Sequence, residues 1–149
     1  MPRNKIKLVT DSCCHVAAAN VPGRIGKGYS AGGVLILDMA DQTIREISKF
    51  FGEMTVPEAE YNAIIFALDE AAADGRGEVE VWSDSEFVVR QLTGVYAIRS
   101  EKMKGLYDEV RKLERRFLKD VHYFHHPRTS PLAQRADALA EQEYRKHRP

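Results

Sequence analysis

Three strand-like runs precede the first helical segment of this chain, and that order restricts the fold more than any single motif does. The runs "KIKLVT" (5–10), "YSAGGVLILD" (29–38) and "QTIREISKFFGE" (42–53) read as strands, the last two separated by the turn residues Met39 to Asp41. They predict a three-stranded meander. "VPEAEYNAIIFALDEAAADG" (56–75) then opens with Pro57, is rich in alanine and stops at Gly75, which is how a helix is punctuated. From there helices and strands alternate: "EVEVWS" (78–83) as a fourth strand, then a short helix over about 85–92. A longer helix in "EKMKGLYDEVRKLERRFLK" (101–119) carries Leu106, Val110, Leu113 and Phe117 at helical spacing. A fifth strand in "DVHYFHH" (120–126) leads to a closing helix from about Pro131, while "CCHVAAANVPGRIGKG" (13–28) reads as an irregular loop. Strands first and alternation afterwards imply an α/β chain with a mixed sheet and helices on its faces.

With 149 residues, 44% hydrophobic and 30% charged, the chain is expected to form one domain over 1–149 with a substantial core. Its 22 basic and 22 acidic side chains cancel. No global positive field marks a nucleic-acid binder, so any such function must come from local patches. Two adjacent cysteines, Cys13 and Cys14, and a basic start without an apolar stretch of signal-peptide length point to a reducing, cytoplasmic setting. The longest apolar segment, "AIIFAL", is far short of the ~20 residues that cross a bilayer, so no membrane partner is expected.

Four carboxylates stand out against this background. Glu60 is in phase with Ala63, Ile64, Ala67, Leu68 and Ala71, the apolar stripe of the first helix. Asp137 shares a face of the last helix with Ala133, Ala136, Ala140 and Tyr144. An inward carboxylate is costly unless it is paired or binds a metal, although one in a first turn can also escape to solvent. Asp11 closes the first strand and Asp84 the fourth, and ligands of α/β sheets bind beyond the carboxyl ends of parallel strands. For Asp84 a purely local role competes: Ser83 as helix cap, Glu86 completing a capping box, and Asp84 adding ~0.3–1 kcal/mol against the helix dipole. If the four converge, each close pair repels by about 4 kcal/mol at an effective dielectric near 20, which cations relieve. Oxygen-only ligands select Mg²⁺ or Mn²⁺, and a pair of such ions serves phosphoryl transfer.

The stretches "LVTDS", "EAEYNAIIFAL", "VWSDSEFVVRQLTGVY" and "RADALAEQEY", each carrying one of these acids, occur in the order found in the type 1 ribonucleases H, and the chain resembles that family along nearly its whole length. The resemblance implies a ribonuclease H-like fold, a five-stranded mixed sheet of three antiparallel strands plus two parallel ones, flanked by helices. It makes Asp11, Glu60, Asp84 and Asp137 the catalytic, metal-binding set for two Mg²⁺ or Mn²⁺ ions. It implies an endonuclease that cuts the RNA strand of an RNA/DNA hybrid, leaving 5′-phosphate and 3′-hydroxyl ends and reading the 2′-OH beside the cut. Substrate contacts fall on Ser12, Cys13, Asn20, Ser85 and Arg128, and the histidine that assists turnover falls on His126 in preference to His125. The compact middle segment "QLTGVYAIR" is similar to the archaeal-type branch, and a monomer is expected.

The chain departs from the family pattern in four places. Ser12 stands where members usually carry glycine, and "NVPGR" where they have an Asn-Pro-Gly turn. "TVPEAE" offers Val56 and Pro57 where asparagine or glutamine reads the minor groove, and Pro131, Leu132 and Ala133 occupy the place of a downstream asparagine. Other features read blandly. The "CCH" run makes zinc improbable because adjacent cysteines chelate one ion poorly, "RKLERRFLK" is a solvated helix face, and Trp82 is packing. A metal-dependent 3′–5′ exonuclease is the rival within the fold class, but it would place Asp-x-Glu on the first strand, whereas "TDSCC" has one acid. A non-catalytic or weakly active hybrid-binding module is the rival outside it, and such a module would be expected to lose acids that are all kept here.

Overall fold

The structure, a computed structural model, describes residues 5–16 and 26–149. Among these, the strands are β1 (Ile6–Val16), β2 (Lys27–Asp38), β3 (Thr43–Thr55), β4 (Val79–Ser83) and β5 (His122–His125), and the helices are α1 (Val56–Ala73), α2 (Glu86–Leu92), α3 (Glu101–Glu114) and α4 (Pro131–His147). The strands form one sheet in the order β3-β2-β1-β4-β5. Pairing is antiparallel for β3-β2-β1 and parallel for β1-β4-β5, which is the mixed sheet expected.

Alternation along the central strands sends side chains to two cores. Ile6, Leu8, Val34, Ile36, Val79 and Val81 meet Tyr61, Ile64 and Leu68 of α1 and Val110 of α3 on one face. Val9, Leu35 and Leu37 meet Ala136 of α4 on the other. Burial on both faces explains why "VLIL" is apolar without interruption. The helix α1 follows β3 directly: Thr55 accepts from Glu58 N, the Glu58 carboxylate accepts from Thr55 N, and Pro57 sits in the first turn. The helix ends at Ala73 with Asp74 as its cap, and Gly75 follows with a φ of 73°, which suits a residue without Cβ.

Several local expectations are corrected. Strand β1 does not end at Asp11 but pairs with β2 as far as Val16↔Gly28, so Cys13 and Cys14 lie in a strand and not in a loop. Asp11 closes only the parallel pairing with β4, whose last row is Thr10↔Ser83. The cap of α2 is Ser85, which accepts from Val88 N at 3.3 Å, and Glu86 is ion-paired to Arg90 at 3.0 Å. Ser83 instead accepts from Ser85 N at 3.0 Å and shapes the turn before the helix. The capping box belongs to α1. Helix α3 stops at Glu114, and Phe117 is buried beyond its end.

Helix α4 approaches the sheet closely at one point. A Cβ placed on Gly33 would collide with the Ala136 carbonyl oxygen and come within 2.7 Å of Ala140 N. Gly33 is also the strand partner of Asp11. The absent side chain thus sets the helix carrying Asp137 against the strand carrying Asp11.

Candidate active site

Beyond Thr10 and Ser83 the parallel strands part, and the next residue of each is an aspartate. Thr10 donates to the Trp82 carbonyl at 3.4 Å, and the Ser83–Ser85 turn fixes the exit from β4. Asp11 is 9% exposed and the Asp84 side chain 8%. Glu60 reaches the same place from the first turns of α1, and Asp137 from α4. All four line one cleft of about 310 Å³, together with Ser12, Cys13, Arg128 and Glu141.

The electrostatics follow from crowding acids into a half-dry crevice. Burial raises the pKa of Asp11 far above the carboxylate range, and the charges of Asp84 and Asp137 add to it, against the Ser12 N–H bonded to Asp11 Oδ1 at 2.8 Å. Burial also raises Glu60; Asp84 adds to this, while the Ser85 hydroxyl and Arg128 oppose it. Asp137 is raised by burial first and by Glu141 next, and it is in hydrogen-bond contact with Asp11. Acids crowded in this way hold their protons more tightly than free carboxyl groups do. A hard divalent cation would supply compensating charge there, and an oxygen-only donor set suits Mg²⁺ or Mn²⁺. Arg128, with its side chain 82% exposed, lines the cleft and brings Nε to 3.4 Å from Asp84 Oδ2.

The other residues singled out in the sequence divide. Ser12, Cys13 and Arg128 line the cleft, and Ser85 lies against Glu60. Asn20 lies outside the described residues. His126 is 7% exposed, its backbone N–H donates to the Ser83 carbonyl at 3.0 Å, and its ring is 6.1 Å from that of Trp82. Burial lowers its pKa, against the pull of the Asp84 charge, which favours the neutral imidazole. His125 is exposed. Trp82 is a packing residue, as expected: it stacks on Phe124 at 4.7 Å and donates to Glu80 at 3.0 Å. Glu141 escaped the sequence reading although it stands four residues, about one turn, after Asp137 on the same helix face.

The chain is similar to known proteins along most of its length. The Reverse transcriptase-like family matches residues 20–143, a span holding Glu60, Asp84 and Asp137 and beginning after Asp11. Ribonuclease HI of Halobacterium salinarum is 32% identical over 115 residues, 77% of this chain, and the chain spans only 56% of that protein's length. The crystal structure of RNase H1 from Halobacterium salinarum NRC-1 superposes with a TM-score of 0.83 at 27% identity, covering 97% of this chain and 100% of that one. LC11-RNase H1, in a structure with an RNA/DNA hybrid, gives 0.80 at 30% identity over 95% of this chain and 97% of the other. A family match across most of the sequence, joined to one shared topology, means that this chain belongs to the Reverse transcriptase-like family and has the type 1 ribonuclease H fold.

Proposed function

We propose that the chain is a ribonuclease H, an endonuclease that hydrolyses the RNA strand of RNA/DNA hybrids and leaves 5′-phosphate and 3′-hydroxyl ends. The observation that carries this is the convergence of Asp11, Glu60, Asp84 and Asp137, from four separate segments, in one open cleft. The hybrid held by LC11-RNase H1 supports the choice of substrate. These four side chains would hold two Mg²⁺ or Mn²⁺ ions, which when bound supply activation of water and charge stabilisation at the departing oxygen. The protein's own part is positioning. Ser85 orients Glu60, Arg128 meets the phosphate backbone, and Ser12 and Cys13 border the path of the hybrid. Recognition of the 2′-OH beside the cut separates RNA from DNA.

A labelled hybrid incubated with Mg²⁺ or Mn²⁺ should lose its RNA strand while duplex DNA stays intact, and excess chelator should stop the reaction completely. Cleavage that persists in chelator would refute the metal reading. His126→Ala is expected to slow turnover modestly and to leave some activity, since the buried ring sits beside Trp82 and its role is to assist turnover, not to ligate metal. A larger loss in His125→Ala would transfer that role to its neighbour.

A monomer in a reducing, cytoplasmic setting completes the proposal, supported by the free thiols of Cys13 and Cys14. Among the described residues no helix is long and apolar enough to cross a membrane.

A further inference from the structure

Strand geometry divides the "CCH" run. Alternate residues of β1 face the same way, so Cys13 and His15 share a side, while the Cys14 thiol donates to the Met54 carbonyl at 3.4 Å. On the shared side Glu141 arrives from α4, with its Oε2 2.9 Å from His15 Nε2. One donor atom from each of Cys13, His15 and Glu141 lies within 4.8 Å of the other two. Around a tetrahedral zinc ion, bond lengths of ~2.0–2.3 Å place donors roughly 3.3–3.8 Å apart, so small side-chain shifts close the site. The His15 ring is already oriented by stacking on Tyr144 at 3.8 Å. Cys13 is 6% exposed among Ala31, Ala140 and Phe50, while the cleft gives access to all three donors.

We infer that Cys13, His15 and Glu141 form a second metal site, distinct from the oxygen-only set, that binds a zinc-class ion with a fourth position open to water from the cleft. The donors carry the choice of metal. Thiolate and imidazole favour Zn²⁺ or Co²⁺ over Mg²⁺, whose ligands are oxygens. Binding exchanges the Cys13 thiol proton, released to solvent, for the metal–sulfur bond. The objection to zinc drawn from adjacent cysteines holds for Cys14 alone; the completing ligand comes from the far end of the chain.

The test reads metal binding and not hybrid cleavage, so it stands or falls separately from the proposed activity. The whole chain, reduced and held in saturating Mg²⁺ to fill the oxygen-only set, is titrated with Co²⁺ and then displaced with Zn²⁺. One equivalent of Co²⁺ should produce the near-ultraviolet charge-transfer absorption of a cobalt thiolate, and Zn²⁺ should abolish it. Cys13→Ser should remove the band. His15→Ala, at a partly exposed position that does not threaten folding, should weaken Zn²⁺ affinity by ~100-fold or more, since even losing a group that merely supports a ligand costs 10–100-fold. Glu141→Gln should weaken it in the same direction, and Cys14→Ser should leave both band and affinity unchanged. Absence of the band, unchanged affinity in His15→Ala, or equal losses in Cys14→Ser and Cys13→Ser would each overturn the assignment.

Discussion

Asp84→Asn is expected to abolish hybrid hydrolysis, by at least ~100–1,000-fold if its loss matches that of one preorganised charge-stabilising group, while the chain stays folded and in chelator is no less stable than the parent. Asp84 adds its charge to those crowding Asp11 and Glu60 in a crevice from which water is largely excluded. Replacing it by a neutral group of the same shape removes repulsion that the metal-free native state bears, and the ion pair lost with it, to a largely exposed Arg128, is worth little. A helix-dipole role would predict kept activity and a slightly lower Tm. The sign with pH is fixed too. Asp11, Glu60 and Asp137 have folded pKa values above the ordinary carboxylate values, so the native state binds protons that the unfolded state does not. In chelator the parent's stability should therefore fall as pH rises from the ordinary carboxylate range toward neutrality, and Asp84→Asn should flatten that slope. Thermal melts across this window, beside a cleavage assay, decide the matter; retained cleavage or a large loss of stability in chelator would sink the assignment of Asp84.

Gly33→Ala should be strongly damaging for so small a substitution. The added methyl meets the backbone of α4 at Ala136 and Ala140, not a flexible side chain, so the helix must lift from the sheet. Overpacking of this kind costs ~1–3 kcal/mol or more. Asp137 is the residue after Ala136, so the same displacement moves it away from Asp11. Activity is expected to fall further than the loss of folded protein explains. A Gly33→Ala chain with an unchanged Tm and full activity would show that α4 is not seated on this glycine.

How much of this was legible in the sequence depends on whether a signal was local. Glu60 could be read from its phase on α1, because the stripe it joins lies within a few turns of the same helix. Asp84 could be read from its place at the end of an apolar run. The extent of β1 could not: beyond Asp11 it pairs only with β2, and "SCCHV" lacks the continuous apolar run of a strand buried on both faces. Ser83 and Ser85 are both plausible caps by composition, and only the turn geometry separates them. The meeting of His15 with Glu141 spans 126 positions, and no window along the chain contains both.

The parting of β1 from β4 has a consequence for solubility as well. Residues 11–16 keep β2 on one side, while their pairing with β4 has ended at Thr10, which leaves ~20 Å of β1 edge beside the cleft at ~3.3 Å per residue. An edge of that length is a template on which a strand from a neighbouring molecule can add. Crowding Asp11 and Asp84 at its mouth makes such an approach expensive, because an incoming backbone would desolvate both carboxyl groups further. The side chains that would hold cations thus also make edge-to-edge approach to the described part of this strand costly.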